Sequence, residues 1–209
     1  MLNRTSRIAW IACLIGFLVP PTLQAANTRF YSTRDAWDAA TNKRLLLATF
    51  SEPLWPVNQV LFGDWTLNGV TYRGNAGTPG PNIYVFNPSP LTGPALTANG
   101  DEDIEMILAA PARAFGFDVR VNTFGPVTVR AFDSSGRLMG SLELPQNTIG
   151  FFGLAATGGV ARLTFRSVNG AIENSLLDNV TRGDVTCPAD LNADGLVDDA
   201  DFSVFVGSY

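Results

Sequence analysis

Histidine is missing from all 209 residues. Its absence removes the general base of Ser-His-Asp and Cys-His catalysis and the imidazole ligands of most zinc sites. Lysine is nearly missing as well, with Lys43 alone. Lys and Arg together number 14 against 19 Asp and Glu, a formal charge of −5. A surface so poor in cations has little with which to release counterions from phosphates, which excludes nucleic acid and anionic membrane as natural partners. Cysteine is limited to Cys13 and Cys187. The chain also lacks an apolar run long enough to cross a bilayer: Ile8 to Val19 spans about a dozen residues, short of a membrane helix.

That run is better placed as part of a leader. In MLNRTSRIAWIACLIGFLVPPTLQA, Arg4 and Arg7 precede it, and Pro20, Pro21 and the small Ala25 follow. This order of charge, apolar stretch and small residue predicts a secretory signal peptide over 1–25, an exported location and no membrane after cleavage. Cleavage would remove two arginines and no acids, leaving a more acidic chain. It would also remove Cys13, so that Cys187 is left as an odd thiol in an oxidising compartment.

What is present in quantity is phenylalanine, 14 residues, glycine, 20 residues, and 46% hydrophobic content, enough for one cored domain plus an appendage. RFYSTRDAWDAATNK carries Ser32 with Asp35 three residues on, which predicts a short helix over about 33–42. Beyond it helical periodicity stops. Strands are expected at 45–50, 69–73, 82–86, 103–109, 112–121, 126–132, 137–144, 149–154, 160–165 and 175–181. The clearest is ARAFGFDVRV, where Phe115, Phe117, Val119 and Val121 share one face and Gly116, Asp118 and Arg120 the other. Asp133 to Gly136 reads as a hairpin loop. Short strands with turns between them and no βαβ alternation predict an all-β fold: an antiparallel two-sheet β-sandwich over 26–183, with the short N-terminal helix.

At TRGDVTCPAD the composition shifts, and 184–209 forms a separate acidic segment. DLNADGLVDDAD spaces oxygen donors as a calcium loop requires: Asp190, Asn192 and Asp194 at positions one, three and five, Gly195 at six, the Leu196 carbonyl at seven, Asp198 at nine and Asp201 at twelve. A hard cation needs about six or seven such oxygens, and the glycine permits the sharp turn. After it, Phe202, Phe205, Val206 and Tyr209 fall on one helical stripe. CPADLNADGLVDDADFSVFVGSY resembles one calcium-binding repeat of a type I dockerin, over about 187–209, giving an EF-hand-like loop and helix. The resemblance implies Ca²⁺ as cofactor, those ligands, and a cohesin-like partner for two stacked repeats. Only one repeat is present, and the expectation is a chain that stops before the second.

The body has its own likeness. APARAFGFDVR, VTVRAFDSSGRLMGSLEL, IGFFGLAATGGVARLTF and LLDNVTRG, in that order after STRDAWDAA, resemble the exported jelly-roll-like β-sandwich domains of bacterial surface proteins, similar in plan to carbohydrate-binding modules. Sugar-binding sandwiches stack pyranose rings on exposed aromatics, and Trp55, Trp65, Tyr72 and Tyr84, in or beside loops, are the candidates, with Trp55 and Trp65 expected to be the most exposed. Such sandwiches also pin their first strand to their last with a structural Ca²⁺, for which Glu52 and Asp178 have suitable chemistry. Catalysis would need a carboxylate pair. Asp101, Glu102, Asp103 and Glu105 form one acidic run, Asp118 and Glu143 lie on strands, and no two stand out. The expected function is therefore a secreted, non-catalytic module for polysaccharide or cell-surface binding, with a calcium-binding attachment segment. The alternative is a small glycoside hydrolase or lyase anchored through the dockerin.

Overall fold

The computed structural model describes residues 28–51, 55–75, 82–87, 89–91, 93–98, 103–168 and 175–185. The signal segment, Glu52 and the whole calcium loop with Asp190, Asn192, Asp194, Leu196, Asp198 and Asp201 lie outside the described residues.

Among the described residues are twelve strands and one helix. They run β1 (Thr28–Tyr31), α1 (Arg34–Ala39), β2 (Thr41–Ala48), β3 (Val60–Phe62), β4 (Trp65–Leu67), β5 (Val70–Asn75), β6 (Asn82–Phe86), β7 (Ala95–Ala98), β8 (Asp103–Arg120), β9 (Val127–Phe132), β10 (Leu138–Leu144), β11 (Ile149–Ser167) and β12 (Leu176–Val185). Every pairing is antiparallel.

Two long strands, β8 and β11, build both layers of a β-sandwich. Their register is Ile149↔Arg120 to Ala155↔Ala114, breaks, and resumes at Arg162↔Ile107 to Phe165↔Ile104. In β8 the buried phase changes across the break: Ile104, Met106 and Leu108 point inward before it, Phe115, Phe117 and Val119 after it. β11 changes phase with it, burying Phe152 and Leu154 before the break and Leu163 and Phe165 after it. The pairing offset is the same on both sides, so the two strands turn the corner together through an irregular stretch where Val160 pairs with Ala112. Pro111 sits in this corner, and Gly159 faces it so closely that a Cβ there would lie 2.6 Å from the proline ring. The first layer is thus β10–β9–β11–β8–β5–β4, using the early half of β8. The second is β1–β11–β8–β12, continued by β2 and by β7–β6–β3.

The layers meet through aromatic rings. Phe117 stacks on Phe152 at 4.9 Å within the second layer and meets Phe165 of the first edge-on at 5.1 Å. Such pairs add about 1 kcal/mol each beyond their burial. At one end Phe50, held at φ 49, turns its ring between Trp55 and Tyr72, 5.1 and 5.2 Å away.

The helix covers the outer face of the second layer. Thr33 caps it by accepting the Ala36 N–H, and the element is shorter than the 33–42 expected. Trp37 lies flat on a floor of glycine: a Cβ at Gly153 would fall 2.6 Å from its ring. Its indole N–H donates to the Leu154 carbonyl at 3.0 Å. The face that reads as polar in the sequence, Gly116 and Asp118, is therefore a docking floor for α1. The last strand runs to Val185, past the Gly183 boundary.

Candidate functional site

The four aromatic candidates are divided between two faces. Tyr72 pairs with Met106 and Trp65 and follows the inward phase of Val70, so it is fully buried. Burial pushes its phenol far above the ordinary value. Trp55 is only 2% exposed, which corrects the expectation drawn from its proline-flanked loop. Its ring packs inward, 5.5 Å from Tyr72. Trp65 is half-buried, 5.7 Å from Trp55 and tilted 30° to it. These three form one internal cluster, so they cannot serve as a ring-stacking platform for a polymer; only the free edge of Trp65 reaches solvent.

Tyr84 is on the opposite side. In β6, Ile83 and Val85 face inward and are fully buried, so Asn82, Tyr84 and Phe86 share the other face, on which Asn82 is buried, Tyr84 half-buried and Phe86 exposed. Tyr84 pairs with Val60 and Asn82 with Phe62, which places Val60 and Phe62 of the edge strand β3 on the same outer face. Phe62 is 67% exposed and Phe86 40%. The Tyr84 and Phe86 rings are 6.4 Å apart, tilted 40°. An amide clamp borders them. Asn58, at φ 57, donates to the Asn87 carbonyl at 2.8 Å and accepts the Asn87 N–H at 3.0 Å, and the Tyr84 hydroxyl lies 3.5 Å from the same Asn58 oxygen. The result is an apolar ladder of exposed Phe62, Val60 and Phe86 around the half-buried Tyr84, with hydrogen-bonding groups along its rim. Alternation in NIYVF puts Phe86 on one face with Tyr84, whereas the three-residue β3 carries no periodicity that reveals Phe62.

Asp178 is on β12 directly across from Asp118 of β8. Asp118 is held from two sides: Arg34 donates to Oδ1 at 3.2 Å and Asn179 to Oδ2 at 2.7 Å. Asp178 is 2% exposed, with Gly93 lying over its carboxylate. Its Oδ1 has no hydrogen-bond partner among the described residues. Burial pushes its carboxyl up to about 6; the Asn179 backbone N–H pulls against this, and the facing Asp118 charge adds to it. Glu52, its expected companion, is outside the described residues. Among those described, no group of three or more His, Cys, Asp or Glu converges as a metal site.

No protein-family model matches the chain, and no curated protein matches it. Solved structures similar to it include a DUF4465 family protein from Bacteroides caccae, 9% identical, covering 67% of this chain and 98% of that one with a TM-score of 0.46. A mutant of a carbohydrate binding module family 29 is 11% identical over 68% of this chain and 91% of that one, with a TM-score of 0.40. A family 6 carbohydrate-binding module is 11% identical over 70% and 95%, with a TM-score of 0.31. At such identities and scores these likenesses assign the chain to no family and give it no ligand.

Proposed function

We propose that the β-sandwich is a carbohydrate-binding module of an exported protein, jelly-roll-like in plan, and that it binds without catalysing. The observation that carries this reading is the ladder of exposed Phe62 and Phe86 with half-buried Tyr84, beside the Asn58–Asn87 clamp. A sugar ring offers an apolar C–H face for an aromatic and hydroxyls at its edge, and this surface supplies both complements. Apolar side chains left exposed together on one face mark a binding surface more often than isolated ones do. The test is retention of the protein by immobilised plant, algal or bacterial polysaccharides. Tyr84→Ala and Phe86→Ala should each weaken binding at least tenfold, and retention of both variants equal to that of the parent would refute the site.

The hydrolase alternative would need two carboxyls at the substrate. Asp118 and Asp178 are the facing pair on offer, and the covered Asp178 has no access to a glycosidic bond.

The same reading gives the 184–209 segment a calcium-dependent attachment role. Asp190, Asn192, Asp194, the Leu196 carbonyl, Asp198 and Asp201 make an all-oxygen donor set suited to Ca²⁺. A cohesin-like partner belongs to this proposal where a second repeat exists. A structural Ca²⁺ at Asp178 fits one feature of the fold: the buried, unpartnered Oδ1 is an oxygen that a cation would satisfy. Glu52 and backbone carbonyls would complete it. Such an ion would neutralise Asp178 and tie β12 to the segment after β2.

A further inference from the structure

The outer face of the second layer has a second concavity, apart from the ladder. Its row of cross-strand partners runs from Ile149 through Arg120, Leu176 and Thr97 to Tyr84 and Val60. Leu176 and Thr97 in the middle are buried, so the face is divided into two exposed ends. Tyr84 lies at one end. At the other, two clefts of about 350 and 420 Å³ share Asp118 as a wall. Each is within the range of small-molecule sites.

The walls are polar groups already fixed by one another. Arg34 is held by Asp118 and by the Phe151 ring, 4.5 Å beneath its guanidinium. Arg44 donates to the Asp38 carbonyl at 2.7 Å and lies 3.5 Å from its carboxylate. Leu46, 52% exposed, lines the same cleft as both arginines, and Ile149, 63% exposed, lines the neighbouring one. Behind Asp118 is the buried Asp178 with its unpartnered oxygen.

The charges select the ligand. In the cleft wall two arginines face two aspartates, so the site has donors and acceptors in balance. An anion would have to displace Asp118 from Arg34, and a cation would meet both guanidinium groups. A neutral ligand that donates and accepts at adjacent atoms needs no pair to break. Hydroxyls on neighbouring carbons do this, and the C–H face beside them suits Leu46. We propose that the Asp118 cleft is a second binding site, for a single uncharged sugar ring recognised through vicinal hydroxyls. It uses no residue of the ladder and does not depend on that reading.

The test is a residue-resolved NMR titration of the full chain with glucose, galactose, mannose and xylose, each into the millimolar range, with glucuronate and glucosamine as charged controls. Saturable shifts are expected at the amides of Arg34, Leu46, Asn179 and Thr181 for at least one neutral sugar, with the charged analogues at least tenfold weaker. Arg34→Met should weaken these shifts at least tenfold, and Tyr84→Ala should leave them unchanged. Leu46→Trp, which fills the cleft from an exposed position without touching an ion pair, should abolish them and decides the matter if Arg34→Met does not fold. Absence of saturable shifts in the cleft, tighter binding of glucuronate, or unaltered titration of Leu46→Trp would each overturn the proposal. Loss of polysaccharide retention in Tyr84→Ala with the cleft shifts intact would separate the two sites.

Discussion

Trp37 and the glycines beneath it are the clearest case of a residue choice dictated by a neighbour. Gly153 lies under the indole, and Gly116 beside it is closed off by the Phe151 ring, 2.6 Å from where a Cβ would stand. Gly153→Ala must push the indole off the sheet or bend the strand. Its expected cost is about 1–3 kcal/mol, as for other overpacked cores, measured by urea unfolding. Asp178 makes a different prediction. Its folded-state value is raised to about 6 above the ordinary 3.8 of an unfolded carboxyl. In chelator, the folded state therefore holds its proton longer than the unfolded state between these values, and stability falls as pH rises from about 4 to 6. The full loss, on the order of 3 kcal/mol, is in force above pH 6. Asp178→Asn removes the buried charge, so in chelator it should be the more stable protein at pH 8 and should lose that slope. If Ca²⁺ binds there, added Ca²⁺ should raise the melting temperature of the parent protein and not of this variant. An identical pH profile for the two proteins in chelator would contradict the burial argument.

At the scale of elements, the corner and the turns set the sheet. The turn between β9 and β10 is organised by Asp133, whose Oδ1 accepts from the N–H groups of Ser135 and Arg137 and from the Ser135 hydroxyl, while Arg137 Nε reaches Oδ2 at 3.0 Å. The Ser135 hydroxyl and the Arg137 N–H hold its carboxyl down at about 2. That contribution is present above the unfolded value near 4 and is lost as pH falls toward 2. Asp133→Ala should accordingly speed amide exchange in β9 and β10 at neutral pH, with a smaller effect at pH 2. Turn chemistry of this kind is legible in DSSG, and the alternation of β8 is legible on each side of its irregular corner. Their union into one strand is not. Pro111 looks like a break, yet it falls at the corner where β8 leaves one layer for the other. The short strands β1, β3, β4 and β7 hold too few residues for a period of two to register, and so Phe62 escaped notice.

For the molecule as a whole, the sequence pattern sufficed for an antiparallel sandwich because two runs of alternating Phe, Val, Ile and Leu could bury themselves in no other simple way. The ligand surface was less legible. Loop position suggests an exposed Trp55, but sequence does not say which way its ring turns, and it packs inward against Phe50 and Tyr72. The cleft at Asp118 depends on a helix from residues 34–39 settling beside residues 118 and 179, a separation no local pattern records. The attachment role proposed for 184–209 has its own prediction: calorimetric titration of the full chain with Ca²⁺ should give a heat that Asp194→Ala removes, and an unchanged isotherm would reject the loop assignment.

Glycan binding by the ladder is the claim on which the account turns. The most direct measurement is the retardation of the full chain by soluble polysaccharides in native affinity gels, with the parent protein, Tyr84→Ala and Phe86→Ala run side by side. The account predicts retardation of the parent by at least one polysaccharide and its loss in both variants, all three proteins unfolding at similar urea concentrations. Migration of the parent unaltered by every polysaccharide, or equal retardation of all three, would contradict it.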